Sequence, residues 1–238
     1  MSLIARKASG PGGFLLDRFD EQVGESSMPL RSPTPGRERL RELLSRRNQH
    51  PGSREETDRE ILADFQRRLA VLVLDMCHFT STTSRRGILH YLAMIEQMEA
   101  AARPAIEENG GAVVKQEADN LFAAFLHPQN AVEAALDVFR AFETVNHVVP
   151  DQRDLYGCIG IGFGDVLLVG RSDLFGHEVN LACKLGEDLA QKGQILLTRA
   201  ARDALPSGAY RMTPTRYPLG GDTVEVFVFE GRATEGIG

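Results

Sequence analysis

The sequence predicts an α+β fold: a βαββαβ core followed by a C-terminal αβ addition. Three observations predict it. The run Ala70-Val71-Leu72-Val73-Leu74 is wholly apolar and ends abruptly in Asp75, as a buried strand does. Gly110 to Phe122 reads as turn, strand, tight turn, strand. Between them Ile88, Leu92, Ile95, Met98 and Ala102 recur at helical spacing.

The elements follow in order. Leu69–Leu74 is the first strand and Gly87–Asn109 a helix, with Pro104 expected to kink it. Ala112–Glu117 and Leu121–Phe125 form a hairpin. Pro128–Thr144 is a second helix, with Val132, Ala135, Leu136 and Phe139 turned inward. Leu155–Phe163 and Val166–Val169 are strands and Glu178–Ala190 a helix. Gln194–Thr198 is a strand, Ala200–Leu205 a short helix and Thr223–Phe229 a last strand. This order is the ferredoxin-like arrangement with an appended tail.

Residues 1–60 read as a partly helical N-terminal extension and residues 61–238 as the folded domain. Met1 to Leu30 mixes Gly, Ser and small apolar patches. Glu38 to Arg47 and Arg54 to Arg68 are helical stretches separated by Asn48 to Ser53. A solvated linker with a crossing helix and a regulatory docking element are both open readings of the extension.

The chain has 238 residues, 42% hydrophobic and 25% charged, enough to bury the core of one domain of ordinary size. No apolar run approaches a membrane span and no secretory signal opens the chain, so a cytoplasmic protein is expected. Cys77, Cys158 and Cys183 lack metal-type spacing and read as reduced thiols. A net charge of −6 argues against a nucleic-acid surface. RNA-recognition domains share the βαββαβ order, but their central strands carry stacking aromatics. Here those strands carry Val113, Lys115 and Glu117, or Ile159 and Ile161.

Two strand-borne carboxylates, Asp75 and Asp119, suggest a two-metal site acting on a nucleotide, because magnesium takes one or two protein carboxylates and leaves its other positions to phosphate and water. A third block, Cys158-Ile159-Gly160-Ile161-Gly162-Phe163-Gly164-Asp165-Val166 leading into Asp173-Leu174-Phe175-Gly176-His177-Glu178-Val179-Asn180-Leu181-Ala182-Cys183-Lys184, completes a set of three. Together these motifs resemble the class III nucleotidyl cyclases, adenylyl type, over roughly residues 68–230.

The resemblance implies an adenylyl cyclase that makes cyclic AMP and pyrophosphate from ATP with two Mg2+ or Mn2+ ions per site. Asp75 and Asp119 align with the family's metal aspartates. The backbone amides from Cys77 to Thr80, with Phe79 and Thr80 the substrate-binding residues, receive phosphate oxygens. His78 reads as a loop residue, since magnesium prefers oxygen. Lys115 and Asp173 fall at the base-reading positions. Lysine only donates and an ionised aspartate only accepts, which suits the adenine edge and opposes guanine. Cytosine presents the same order as adenine, so a cytidine nucleotide remains an alternative substrate.

Asn180 and Lys184 lie four apart on one helix face and take the positions that orient ribose and stabilise charge on the α-phosphate. Most family members carry arginine at the second position. Lysine keeps the charge and loses the planar fork, so Lys184 reads either as a transition-state residue or as a surface charge beside Glu187 and Asp188. The segment Tyr217-Pro218-Leu219-Gly220-Gly221-Asp222 also lacks the lysine that many relatives use for the terminal phosphates; Arg211 or Arg216 is a candidate to replace it, and nothing in the sequence selects either. These departures keep open a weak or degenerate cyclase domain that binds nucleotide or a partner. Family sites are built across a head-to-tail pair, which implies a homodimer.

Overall fold

A computed structural model describes residues 34–77, 87–148, 154–219 and 221–233 of the chain. Met1 to Leu30 and the phosphate-loop residues His78, Phe79 and Thr80 lie outside the described residues.

Two helices open the described chain, α1 (Arg37–Gln49) and α2 (Arg54–Phe65), joined by a 3-10 turn at Pro51–Ser53. They are followed by β1 (Gln66–Met76), α3 (Ile88–Glu108), β2 (Ala112–Glu117), β3 (Asn120–Phe125), α4 (Pro128–Asn146) and β4 (Gly157–Val169). The chain continues through β5 (Asp173–Phe175), α5 (His177–Cys183), a π-helical segment (Lys184–Leu189), β6 (Ile195–Thr198), α6 (Arg199–Asp203), β7 (Tyr210–Leu219) and β8 (Asp222–Arg232). The sheet runs β2-β3-β1-β4-β6-β8-β7, with β5 added against β4. Its first four strands form the expected core, all antiparallel, while β6 joins β4 in parallel.

β1 carries the core. Leu69 to Leu74 are buried whichever way they point, because α4 and α5 both pack on the strand. A strand covered on both faces reads as an unbroken apolar run, which is why this element was legible. On β4 the glycines make room for a helix: a Cβ on Gly160 would stand 2.1 Å from the Ala182 carbonyl oxygen, and one on Gly162 2.5 Å from that of Glu178. α5 therefore lies directly on the strand backbone.

Several boundaries differ from expectation. β4 is one strand through Gly164 and Asp165, held straight by pairing with Leu69 and Arg68 of β1. The same pairing draws Gln66 to Arg68 out of the expected helix and into β1. α3 runs through Pro104 without ending there. The helix expected over Glu178–Ala190 is α-helical only to Cys183 and then widens into the π segment. The strands β5 and β7 were not expected.

The cysteine reading needs correction. Cys77 and Cys158 are joined in a disulfide, and only Cys183 is free. The β1–β4 register sets Asp75 against Cys158, so Cys77 lies one turn of the pleat away with its Cα 6.1 Å from that of Cys158.

α1 and α2 pack on the end of β4 through Leu40, Leu43, Ile61, Phe65 and Val169. Around this small core Arg39 bonds Glu42, Glu60 and Asp64, Arg46 bonds Glu60, and Arg47 bonds Asp58. No helix among the described residues is long and apolar enough to cross a membrane.

Candidate active site

The candidate residues fall into two clusters. In the first, Asp75 ends β1 opposite Asn120 of β3, and Asp119 immediately precedes Asn120 in the β2–β3 turn. The turn places Ala118 at φ 54°, a left-handed conformation that costs an L-residue about 1–2 kcal/mol. Strain of this kind next to a carboxylate is consistent with a turn shaped for a site.

Burial pushes the Asp75 carboxyl up to about 7, and the charges of Asp119, Glu187 and Asp188 add to the shift. Burial likewise raises Glu187, with Asp188 contributing and Lys184 opposing. Asn120 Nδ2 donates to Glu187 Oε1 at 2.9 Å, whereas its buried Oδ1 has no hydrogen-bond partner among the described residues. Crowded carboxylates beside an orphaned amide oxygen form an all-oxygen donor set, which suits a hard divalent cation. Among the described residues, no three His, Cys, Asp or Glu side chains come together as a group that could hold a metal ion by themselves.

The second cluster joins β2 to β5. A bulge between Val113 and Lys115 shifts the β2 register and sets Lys115 opposite Phe122. The ammonium lies over the Phe122 ring at 4.5 Å, 2.9 Å from Glu117 Oε1 and 3.1 Å from Asp173 Oδ1. Burial acts to lower the Lys115 pKa, but the hydrogen bonds and charges of Glu117 and Asp173 outweigh it and hold it above the ordinary lysine value. Asp173 is buried. Its Oδ1 also accepts from the Leu174 backbone N–H at 2.9 Å, and its Oδ2 accepts from Arg37 of α1.

Asn180 and Lys184 are exposed on the outer side of α5 and the start of the π segment. Lys184 pairs with Asp188 one turn on, which holds its ammonium above the usual range. Neither residue bonds to the other four among the described residues. The fold thus brings together Asp75 with Asp119 and Lys115 with Asp173, while Lys184 stands beside Asp188 and Glu187 at the edge of the first cluster and Asn180 is exposed on α5. Phe79 and Thr80 lie outside the described residues. Of the substitutes for a phosphate lysine, Arg211 bonds the Arg232 carbonyl and Arg216 is exposed opposite Glu225.

Sequence reasoning missed two contributors. Glu178 Oε2 accepts from the Phe163 backbone N–H at 3.1 Å and the Thr198 hydroxyl at 2.7 Å, which pins α5 to β4 and β6 and so sets where Asn180 stands. Its place two residues before Asn180 was the available signal. Arg37 lies 136 residues from Asp173, and nothing in the sequence connects them.

Residues 63–231 match the family described as Adenylate and Guanylate cyclase catalytic domain. The chain belongs to that family. This cyclase domain is 32% identical over 141 residues to a Streptomyces coelicolor protein named adenylate cyclase, covering 58% of this chain and 34% of that one. Across the relatives found by sequence, the match spans 22% to 34% of their own length. Among solved structures, the guanylyl cyclase Cya2 superposes with a TM-score of 0.63 at 19% identity, over 72% of this chain and 95% of that one. An adenylate/guanylate cyclase/hydrolase from Silicibacter pomeroyi gives 0.55 at 25% identity, over 69% and 95%. The cyclase fold is therefore common to proteins named for either purine, and the choice of base rests on the side chains of this chain.

Proposed function

We propose that this chain is an adenylyl cyclase that converts ATP to 3′,5′-cyclic AMP and pyrophosphate at sites shared between two copies. The observation that carries the reading is the Lys115–Asp173 pair: an obligate donor and a carboxylate 3.1 Å apart. Adenine offers an acceptor at N1 and a donor at its 6-amino group, which this pair complements. Guanine offers the reverse and would leave buried polar groups unpaired, the situation that gives large discrimination.

In the reaction the ribose 3′-oxygen forms a bond to the α-phosphorus, the bond to the bridging oxygen of pyrophosphate breaks, and the 3′-proton leaves to solvent. Asp75 and Asp119 would hold Mg2+ or Mn2+, which would supply Lewis-acid chemistry at the phosphates. The chain's own residues place the substrate. Lys115 donates to N1 and Asp173 accepts from the 6-amino group. Asn180 orients the ribose, and Lys184, released from Asp188, sets a positive charge beside the α-phosphate. As a compact point charge it grips one oxygen where an arginine fork grips two, so slower turnover is expected. The exposure of Asn180 and Lys184 at the surface leaves them open to a second copy, which supports a homodimer in which each copy completes the other's site.

The pairing of Lys184 with Asp188 favours a second reading, a domain that binds ATP with weak turnover. Steady-state rates with ATP, GTP and CTP test the first. ATP should be preferred, and Lys115→Ala should lower kcat/KM for ATP at least about tenfold while narrowing the preference over GTP. A wild-type preference for GTP or CTP contradicts the assignment.

A further inference from the structure

We infer that Arg37, the first residue of α1, is a positioning residue for base selection: it fixes the Asp173 carboxylate so that one acceptor direction is left for the nucleotide base. The inference rests on Lys115 and Asp173 being the base readers, and it deepens that reading by adding the element that orients them.

The accounting is by lone pairs. An ionised carboxylate has about four acceptor directions. On Asp173 Oδ1, two are taken by the Leu174 N–H at 2.9 Å and the Lys115 ammonium at 3.1 Å. On Oδ2, Arg37 takes one. A single direction on Oδ2 remains for a base amino group. Without Arg37, Oδ2 is free to turn, and Lys115 can bridge both oxygens and withdraw from N1. Three fixed donors therefore hold the carboxylate as a one-sided acceptor beside a lysine.

Arg37 is itself held in place. Thr34 is buried, and a Cβ on Gly170, in the β4–β5 turn, would lie 3.6 Å from Gly36 Cα. α1 docks on Val169, the residue that pairs with Asp173 across β4 and β5. The helix thus sits on the same strand pair that presents Asp173. Leu43 and Phe65 beneath the helical pair are fully buried, so releasing α1 would expose a packed core. That packing makes Arg37 a built-in part of the site and not a removable plug. The arginine side chain is 53% exposed, so replacing it leaves the core intact.

The test measures binding of 3′-deoxy-ATP and 3′-deoxy-GTP with Mn2+. These nucleotides lack the attacking hydroxyl, so base selection is read even if turnover is slow. The proteins are the full chain, Arg37→Gln, Arg37→Lys and Asp173→Ala, each checked for an unchanged melting profile. Arg37→Gln should weaken 3′-deoxy-ATP about tenfold and 3′-deoxy-GTP little, and Arg37→Lys should recover part of the loss. Equal weakening of both nucleotides, or tighter binding of both, overturns the positioning role. If Asp173→Ala changes the preference and Arg37→Gln does not, this inference alone fails. If Asp173→Ala leaves the preference unchanged, or the wild type binds neither nucleotide, the base-reading assignment fails and the inference with it.

Discussion

Asp75 stands directly opposite Asn120 across the β1–β3 pair, and this register carries the Asp119 carboxylate into the field of Asp75. The arrangement stores repulsion in the metal-free protein, since two acidic groups are partly withdrawn from water with Glu187 and Asp188 nearby. Asp75→Asn should therefore raise the melting temperature of metal-free protein by roughly 2–4 °C, the equivalent of about 1 kcal/mol. The same variant should lose the stabilisation that Mn2+ gives the wild type. Thermal melts with and without Mn2+ decide this; a variant that Mn2+ still stabilises fully would remove Asp75 from the metal site.

A shared site predicts complementation. Asp75→Ala and Lys115→Ala proteins should each be nearly inactive. After subunit exchange, a mixture should regain up to about a quarter of wild-type activity, because half the dimers are mixed and each restores one of two sites. Exchange is verified with differently tagged copies. Mixed dimers with no more activity than either parent contradict the shared site.

The Cys77–Cys158 bridge closes a loop with a sequence separation of 81, and chain entropy assigns such a link about 4 kcal/mol. Unreduced, denatured protein should show one alkylatable thiol, Cys183, and three after reduction. In native protein Cys183 should react slowly at pH 8, since burial, with Glu187 beside it, pushes its thiol up to about 11. Reduction should lower the melting temperature by several degrees. Three reactive thiols without reductant would show the bridge to be absent.

The α1–α2 pair should loosen in acid. The hydrogen bond from Arg46 lowers the Glu60 pKa, and the one from Arg47 lowers that of Asp58. A depressed carboxyl contributes stability that is present above its unfolded value, near 4, and is lost as pH falls through the folded value. Compared with an Arg46→Gln, Arg47→Gln double variant, the wild type should melt higher at pH 7, and its advantage should shrink below about pH 4. An equal advantage at pH 7 and pH 3 contradicts the pairing.

The central βαββαβ order was legible because β1 is covered on both faces and the two long helices keep their apolar spacing. β7 was not, because its exposed positions carry Pro214 and Pro218, which lack a ladder N–H and are tolerated here because β7 is an edge strand. β5 spans three residues and exists only because β4 offers it a partner. The π segment escaped because helical periodicity does not distinguish a widened turn. Of the candidate site, the residue types and spacings singled out Asp75, Asp119, Lys115 and Asp173 as candidates, and the fold sets them in two pairs. Contacts made across the chain left no local trace: the bridge between Cys77 and Cys158, and the approach of Arg37 to Asp173.

The most direct measurement is chromatographic analysis of the products formed by the purified full chain from ATP with Mg2+ or Mn2+, beside Asp75→Ala and Asp119→Ala. Metal-dependent cyclic AMP and pyrophosphate from the wild type, absent from both variants, is the expected result. A folded, dimeric wild type that forms no cyclic AMP with either metal, or variants that form as much as the wild type, would contradict it.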